Sequence, residues 1–461
     1  GEISQRLNAL RYEKEKEMSN PIVAIVGRPN TGKSSLFNAI AGEPISIVKD
    51  IPGVTRDRIY ADCSWLNRDF TLIDTGGIEP ESRDKLLVSM REQAQIAIDT
   101  ADVIIFLTDV RTGVTDADDR VADMLRRAKK PVVLAVNKVD SFTKFQNDIY
   151  EFYNLACGDP IPVSAASRLG IGDLLEAVEA YFPQVEASEA EEDERPKVAL
   201  IGKPNVGKSS IINRLLGENR VIVSDIAGTT RDAIDTVVVH DGQEYVFIDT
   251  AGIRRKSKIH EDIERYSIIR TVTAVERADV VLLVIDASEG VTEQDAKIAG
   301  VAHEKGKGIL VVVNKWDLVE KTDKTMKEFT DKIKNTLSFM SYAEFLFVSA
   351  ETGQRMNKLF EMIDMIRSSQ TLRIRTGVLN EIITEATVLK QPPSDKGHRL
   401  KIFYASQVAV KPPTFVFFVN SKELMHFSYQ RYLENRIREA FGFRGTMLRF
   451  FTRERQGKDK E

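Results

Sequence analysis

The pattern of apolar and polar positions repeats along the chain. From Pro21 to about Pro183, short apolar runs alternate with longer amphipathic segments, and the same alternation restarts at Lys197 and continues to about Arg367. This alternation is typical of β-α units around a mostly parallel sheet. Because the strand-like runs recur in one order, the sequence predicts the duplication of a whole α/β domain. The predicted strands are residues 22–26, 69–74, 102–109, 131–137 and 161–165 in the first half, and 198–201, 245–249, 279–286, 308–314 and 345–350 in the second.

A different pattern begins after the second repeat. An apolar period of about 3.6 residues predicts a helix over residues 377–390. Two strand-like runs follow, separated by Pro412 and Pro413, and then a long helix-like stretch and a last short strand. The predicted order is α-β-β-α-β, in a smaller α+β domain. These later segments are residues 399–408, 414–420, 421–440 and 447–451.

Length and composition support several domains. A chain of 461 residues exceeds what one hydrophobic core supports. Its 42% apolar and 29% charged residues are typical of a globular protein. Six acids within residues 186–194 indicate a self-repelling, extended linker. We therefore expect a first domain over residues 18–183, a linker over 184–196, a second domain over 197–367 and a third over 368–461.

Three further features bear on location and partners. Cys63 and Cys157 show no metal-type spacing, which favours a reducing compartment and therefore the cytoplasm, and no apolar run approaches the length of a bilayer span. Residues 1–17 lack the apolar core of a signal peptide; we expect an extraneous addition before a native start at Met18, with a native helix as the alternative. From Ser368 onward there are 17 Lys and Arg against 9 Asp and Glu, which suggests a polyanionic partner, although a solvated basic face explains the excess equally well.

One motif occurs twice. The segments GRPNTGKS, residues 27–34, and GKPNVGKS, residues 202–209, both match the phosphate-binding loop G-x-x-x-x-G-K-[ST], after a predicted strand and before a predicted helix. Backbone N–H groups of such a loop wrap a polyphosphate, and glycines allow the close approach. We expect Lys33 and Lys208 to reach the β- and γ-phosphates. The expected phosphate-binding residues are Gly27, Arg28, Pro29, Asn30, Thr31, Gly32, Lys33, Ser34 and Ser35 in the first loop, and Gly202, Lys203, Pro204, Asn205, Val206, Gly207, Lys208, Ser209 and Ser210 in the second.

Two further motifs predict a magnesium site in each half. GVTRD and GTTRD, which resemble switch I of Ras-like GTPases, place threonines that would sense the γ-phosphate, and DTGG and DTAG end predicted strands with an aspartate. Alone, D-x-x-G is a weak signal; its position after a strand gives it value. The glycine that ends each D-x-x-G is expected to meet the γ-phosphate through its N–H. The predicted Mg²⁺ ligands are Ser34, Thr55, Asp74, Ser209, Thr230 and Asp249, and the two glycines are Gly77 and Gly252.

A fourth motif predicts the base. In NKVD and NKWD, Asp140 or Asp317 can accept both adjacent N–H donors of guanine, whereas adenine would leave the carboxylate unpaired. The lysines would lie along the base and brace the loop. SAA and SAE resemble the loop whose amide meets guanine O6. The predicted base-binding residues are Asn137, Lys138, Asp140, Ser164 and Ala165, then Asn314, Lys315, Asp317, Ser349 and Ala350.

Hydrolysis is less directly indicated, because Ile78 and Ile253 occupy the position where Ras-like enzymes carry a water-orienting glutamine. In related GTPases with an apolar residue there, the asparagine equivalent to Asn30 or Asn205 resembles a K⁺ ligand, and positive charge near the transferring phosphoryl group assists the reaction. We expect K⁺-stimulated hydrolysis; the alternative is that both asparagines only brace their loops. The expected catalytic set is Asn30, Lys33, Thr55, Asn205, Lys208 and Thr230.

With these motifs, the chain from Met18 resembles the Der/EngA family of bacterial GTPases. The resemblance implies tandem GTPase domains, a C-terminal KH-like domain, GTP or GDP with Mg²⁺, and a monomer that acts in maturation of the large ribosomal subunit. Expected partners are that subunit, its rRNA and regulators of the GTPase, but no membrane. The motif GFRG, residues 442–445, lies outside the helix-loop-helix context of an RNA clamp. Candidate rRNA phosphate contacts are Arg444, Arg449, Arg453 and Arg455; the alternative is that the third domain mainly packs against the others.

Two functions remain open at this point. The first is a GTP-hydrolysing switch. The second is a nucleotide-gated RNA- or ribosome-binding module with little turnover in one domain, which the two isoleucines favour. The basic segment RRKSK, residues 254–258, stands where the first half carries IEPES, so the halves are not expected to be equivalent.

Overall fold

The computed structural model describes most of the chain. Several sequence expectations fall outside the described residues: residues 1–17, the segment 254–258, and most of the linker over 184–196. Seven single positions also lie outside them, namely Thr55, Gly77, Ile78, Thr230, Gly252, Ile253 and Arg455. The described residues are 20–42, 60–66, 68–76, 83–182, 195–218, 220–222, 235–250, 263–320, 322, 324–395 and 397–454.

The first domain is a six-stranded sheet with helices on both faces. Its strand order is β2-β3-β1-β4-β5-β6, and only β2 runs antiparallel to its neighbour. Two apolar clusters, one on each face of the sheet, form the core. The strands are β1 Ile22–Gly27, β2 Tyr60–Trp65, β3 Arg68–Asp74, β4 Val103–Asp109, β5 Val132–Asn137 and β6 Ile161–Pro162. The helices are α1 Lys33–Ala41, α2 Arg83–Thr100, α3 Asp116–Arg127, α4 Phe142–Ile149 and α5 Ile171–Glu179, with a 3₁₀ turn at Tyr150–Leu155.

The second domain repeats this plan in seven strands. Their order is β13-β12-β11-β7-β10-β9-β8, and β9 runs antiparallel to both of its neighbours, β10 and β8. The strands are β7 Lys197–Ile201, β8 Arg220–Ile222, β9 Thr236–His240, β10 Gln243–Ile248, β11 Val280–Asp286, β12 Gly308–Asn314 and β13 Glu344–Phe347. The helices are α6 Lys208–Glu218, α7 Ile263–Arg277, α8 Glu293–Glu304, α9 Thr325–Thr336 and α10 Lys358–Thr371, with 3₁₀ turns at Trp316–Leu318 and Ser338–Met340.

The predicted parallel strands are present in both sheets, and the duplication is confirmed. The antiparallel strands were not predicted. In β2 the sequence YADCSW has no apolar run, because this edge strand pairs only with β3 and most of its side chains are half-buried. In β9 the three valines of TVVVH carried a usable signal.

The third domain has the predicted α-β-β-α-β order. A two-stranded hairpin, which the sequence analysis did not predict, is inserted after the first helix. The main sheet has the order β16-β17-β18, with the last pair parallel, and packs on both helices around one apolar cluster. The elements are α11 Thr376–Leu389, β14 Ser394–Asp395, β15 His398–Arg399, β16 Ile402–Ala409, β17 Thr414–Val419, α12 Phe427–Phe441 and β18 Arg449–Glu454.

The segment GFRG attaches the third domain to the second. The N–H of Ile309 in β12 donates to the oxygen of Gly445 at 2.7 Å, and the N–H of Gly445 donates to the oxygen of Tyr342 at 3.0 Å. A Cβ on Gly445 would lie 2.4 Å from Ile366 Cγ1, so the loop approaches too closely for a side chain. Arg444 forms a two-pronged pair with Glu344 at 2.8 and 2.7 Å. GFRG is therefore a packing element between the third domain and the second.

Arg449 also faces protein rather than solvent. Its Nη2 donates to the main-chain oxygen of Glu304 at 3.1 Å, and burial lowers the pKa of its guanidinium. Of the four arginines expected to meet rRNA, Arg444 and Arg449 thus contact the second domain, while Arg453 is exposed on β18. Their attachment to the second domain favours the packing alternative for this part of the third domain.

A buried polar cluster joins the first and second domains. Lys305, after α8, donates to Glu276 Oε1 at 2.8 Å and to Thr71 Oγ1 at 2.8 Å, and it also pairs with Asp62. The side chains of Lys305 and Glu276 are only 4% and 5% exposed. Burial acts to lower the pKa of Lys305, but the two carboxylates outweigh it and the net pKa is raised. The ammonium is therefore charged in the interface.

Within the part of the chain that is described, no helix is both long and apolar enough to cross a membrane.

Candidate nucleotide-binding sites

The two phosphate-binding loops follow β1 and β7. Gly32 and Gly207 have φ values of +94° and +96°. A Cβ on Gly32 would lie 2.4 Å from Asn137 Nδ2, and a Cβ on Gly207 would lie 2.2 Å from Asn314 Nδ2. Only glycine combines this left-handed backbone with so close an approach. Asn30 and Asn205 are also left-handed, with φ values of +64° and +66°. The loops therefore share their backbone conformation at these two positions, as the repeated motif predicts.

The two loop lysines lie over their own loops. Lys33 Nζ donates to the oxygens of Gly27 at 2.7 Å and Arg28 at 2.8 Å. Lys208 Nζ donates to the oxygen of Gly202 at 2.6 Å and also to that of Lys203. The ammonium groups are thus held inside the concave face of each loop, where a polyphosphate would be wrapped.

Two of the three magnesium ligands expected in the first half, Ser34 and Asp74, lie together. Ser34 Oγ donates to Asp74 Oδ2 at 3.2 Å, and the N–H of Gly76 donates to Asp74 Oδ1 at 2.8 Å. A hydroxyl beside a carboxylate is an oxygen donor set that suits Mg²⁺. In the second half Asp249 follows β10 with φ of +53°, and its N–H donates to Asp235 Oδ1 at 3.0 Å.

In each half, one buried asparagine connects three loops. Asn137 Nδ2 donates to the oxygen of Thr31 at 2.7 Å, while Asn137 Oδ1 accepts from the N–H of Ala165 at 3.0 Å. Asn314 makes the equivalent bonds, to the oxygen of Val206 at 3.0 Å and from the N–H of Ala350 at 3.1 Å. The structure thus brings together the phosphate-binding loop, the N-K-x-D loop and the S-A-x loop.

The N-K-x-D lysines are fixed by aspartates that the sequence analysis missed. Lys138 Nζ donates to Asp109 Oδ2 at 2.6 Å and to the oxygen of Asn30 at 2.7 Å. Lys315 Nζ donates to Asp286 Oδ2 at 2.5 Å. Burial acts to raise the pKa of Asp286, but its bonds from Lys315 and Ser288 lower it overall. The available signal was that β4 and β11 both end in aspartate.

The aspartates expected to read guanine are exposed. Asp140 Oδ1 accepts from Ser164 Oγ at 2.8 Å, and Oδ2 accepts from Arg111 Nη2 at 2.6 Å. These two contacts, first the Ser164 bond, lower the pKa of Asp140, so the carboxylate is ready to accept N–H donors. Asp317 is exposed in the 3₁₀ turn after β12, and buried Ser349 Oγ accepts from the N–H of Thr352 at 3.1 Å.

This fold, with two phosphate-binding loops each bonded to an N-K-x-D loop, defines a tandem P-loop nucleotide-binding protein. A family model described as "50S ribosome-binding GTPase" matches residues 22–138 and 197–315, and one described as "KH-domain-like of EngA bacterial GTPase enzymes, C-terminal" matches residues 373–453. The chain belongs to the Der family of GTPases, with two GTPase domains and a KH-like third domain.

The curated relatives match over almost their whole length. The chain is 70% identical to GTPase Der of Lachnospira eligens over 442 residues, covering 96% of this chain and 100% of that protein. It is also 70% identical to GTPase Der of Agathobacter rectalis, covering 95% and 99%. Identity to GTPase Der of Alkaliphilus oremlandii is 62%, covering 96% and 100%.

Proposed function

We propose that the protein is a GTP-hydrolysing switch that acts in assembly of the large ribosomal subunit, with subunit binding controlled by the nucleotide state of both GTPase domains. The observation that carries the proposal is the duplicated Asn137 and Asn314 arrangement, which gives each domain its own phosphate and base loops in contact. Two sites in one chain allow four combinations of GTP and GDP, which suits a stepwise assembly factor. The description of the matching family as ribosome-binding supplies the partner.

Individual residues receive roles from this arrangement. Lys33 and Lys208 leave the loop carbonyls and meet the β- and γ-phosphates of GTP. Asp140 and Asp317 accept the two guanine donors. A Mg²⁺ ion would be held by Ser34, Thr55 and Asp74 in the first site and by Ser209, Thr230 and Asp249 in the second, where it neutralises developing charge on the phosphates.

We also propose that K⁺ stimulates hydrolysis through Asn30 and Asn205. Both side chains are exposed on left-handed loop residues, so their oxygens can face a cation beside the phosphates. A cation there would supply the positive charge that an arginine finger gives in other GTPases. Turnover should be faster in K⁺ than in Na⁺ at equal ionic strength, and Asn30→Ala or Asn205→Ala should reduce the difference. Equal rates in the two salts would contradict the role.

Single lysine variants test the hypothesis that the protein hydrolyses GTP. Lys33→Ala and Lys208→Ala in the full chain should each lower turnover and nucleotide affinity of one site. If one variant leaves total turnover unchanged while the other abolishes it, the second candidate function, a nucleotide-gated binding module with one silent domain, is favoured. That candidate rests on Ile78 and Ile253. If neither lowers hydrolysis, the proposed enzyme mechanism is wrong.

Co-sedimentation tests the ribosomal role. The purified chain should travel with large subunits in the presence of a non-hydrolysable GTP analogue and should be released in GDP. The matched control is the Lys33→Ala, Lys208→Ala double variant, which should show no nucleotide dependence. Identical sedimentation of the wild type in both nucleotides would rule out nucleotide-controlled binding.

A further inference from the structure

The second residue of each phosphate-binding loop contacts two side chains, which come from equivalent positions in the two domains. Arg28 Nε donates to Asp118 Oδ1 at 2.8 Å, and Arg28 Nη2 donates to Thr112 Oγ1 at 2.8 Å. In the second domain, Lys203 Nζ lies 3.0 Å from Glu289 Oε2 and 3.5 Å from Asp295 Oδ2. Glu289 and Asp295 follow Asp286 at the same spacings at which Thr112 and Asp118 follow Asp109. The arrangement was therefore kept in both copies, although the side chains differ.

The two aspartates are fully buried and have a second partner. Asp118 and Asp295 are 0% exposed. Each closes a capping box: Asp118 Oδ2 accepts from the N–H of Thr115 at 3.1 Å, and Asp295 Oδ2 accepts from the N–H of Thr292 at 2.9 Å. A neutral side chain can also close a capping box. A charge in the first turn favours the helix, but its complete burial also brings it against a second partner, the loop residue.

The loop residue in turn holds the lysine that is expected to bind phosphate. The main-chain oxygen of Arg28 accepts from Lys33 Nζ, and that of Lys203 accepts from Lys208 Nζ. A side chain fixed at residue 28 or 203 limits the movement of this carbonyl and of the N–H groups that follow it in the loop. Anion binding by such a loop requires those N–H groups to converge.

We propose that Asp118 and Asp295 are positioning residues of the two GTP sites, which set the phosphate-binding loops by holding Arg28 and Lys203. This inference rests on the proposed roles of Lys33 and Lys208. The aspartates touch neither phosphate nor base; they act through the loop. Their helices, α3 and α8, are thereby connected to the phosphate end of each site.

The two sites are held with different strength. Asp118 Oδ1 accepts from Arg28, whereas Asp295 Oδ1 has no hydrogen-bond partner among the described residues. An arginine fork reaches two acceptors in fixed geometry, but a lysine is a single point charge. Glu289, with a 61% exposed side chain, takes the place of Thr112 and compensates in part. The second loop is therefore the less firmly held.

The test measures GDP and guanosine affinity separately in the full chain. For the first site, Lys208→Ala is the background and Asp118→Asn is the variant, because Asn retains the cap and loses the charge. We expect GDP affinity to fall on the order of tenfold or more while guanosine affinity stays within about twofold. Thr115→Val is the matched control: it removes the cap hydroxyl, leaves the Arg28 pair, and should lower the unfolding midpoint without changing the ratio of GDP to guanosine affinity.

Exchange of the basic residues gives a test that buries no unpaired charge. Arg28→Lys should weaken GDP binding at the first site, and Lys203→Arg, measured with Lys33→Ala as background, should tighten it at the second. Equal losses of GDP and guanosine affinity in Asp118→Asn, or equal ratios in Asp118→Asn and Thr115→Val, would overturn the proposal. Unchanged GDP affinity of the first site when Lys33→Ala is added to the Lys208→Ala background would instead contradict the proposed function, so the two failures are distinguishable.

Discussion

Asn137 donates its side-chain N–H to the main-chain oxygen of Thr31 at 2.7 Å, and so fastens the loop that reads the base to the loop that holds the phosphates. The bond is buried, with Asn137 3% exposed. Asn314 makes the equivalent bond to the main-chain oxygen of Val206 at 3.0 Å, so both GTPase domains have this feature. Nucleotide affinity should depend on it in both sites.

Asn137→Ala should therefore weaken binding at the first site. The substitution leaves the oxygen of Thr31 and the N–H of Ala165 without partners, and each buried unpaired group costs about 1–3 kcal/mol. That cost falls on the folded state; because the two loops are no longer fastened together, we expect GDP affinity, measured with a fluorescent nucleotide in the Lys208→Ala background, to fall about tenfold or more. Asn154→Ala, at an exposed position of the same domain, is the control and should leave affinity unchanged. An unaltered dissociation constant in Asn137→Ala would count against the arrangement.

Gly207→Ala should separate backbone strain from steric exclusion. Its Cβ would lie 2.2 Å from Asn314 Nδ2, whereas Gly242 has a similar φ of +83° and nothing within 4 Å. Both substitutions should cost about 1–2 kcal/mol of unfolding free energy from the left-handed backbone. Only Gly207→Ala should also lose nucleotide affinity at the second site, because it displaces Asn314. Similar affinities in the two variants would show that the close approach has no functional effect.

The stability of the chain should depend on the protonation of His303. Burial, with a smaller contribution from Arg449, lowers the pKa of His303 from its usual 6.5 to about 4. A histidine that is harder to protonate when folded contributes stability above its unfolded pKa and loses it as the pH falls. The denaturant concentration at the unfolding midpoint should decrease as the pH is lowered from 6.5 to 4, the window given by those two pKa values. His303→Gln should flatten this dependence, while exposed His398→Gln should not; a profile unaffected by His303→Gln would disprove the assignment.

Lys305→Met should loosen the contact between the first two domains. It leaves Glu276 buried without its cation, a type of change that costs about 3–5 kcal/mol. Small-angle scattering should report a larger radius of gyration, and the unfolding midpoint should drop. Lys332→Met, at an exposed position of α9, provides the matched loss of charge and should alter neither. An unchanged radius of gyration in Lys305→Met would mean that other contacts suffice to hold the interface.

Much of this molecule could be predicted because its parallel strands are buried on both faces and its site residues follow one another in compact motifs. Edge strand β2 could not, since a half-buried strand needs no apolar run. Nor could the pair between Arg28 and Asp118, because it joins positions far apart in sequence. The packing of Arg444 on Glu344 depends on how two domains meet, which no local pattern encodes.

Strand β12 has a further consequence. Its carboxyl end carries Asn314 at the second nucleotide site, and its amino end bonds through Ile309 to Gly445 of the third domain. A parallel strand that is paired on both sides is rigid. The contact between Ile309 and Gly445 is made by main-chain groups, so no side-chain substitution removes it directly. The KH-like domain should therefore travel with the second nucleotide site as one body. We therefore expect the first domain to move relative to the other two, because its charged contact around Lys305 can break and form again.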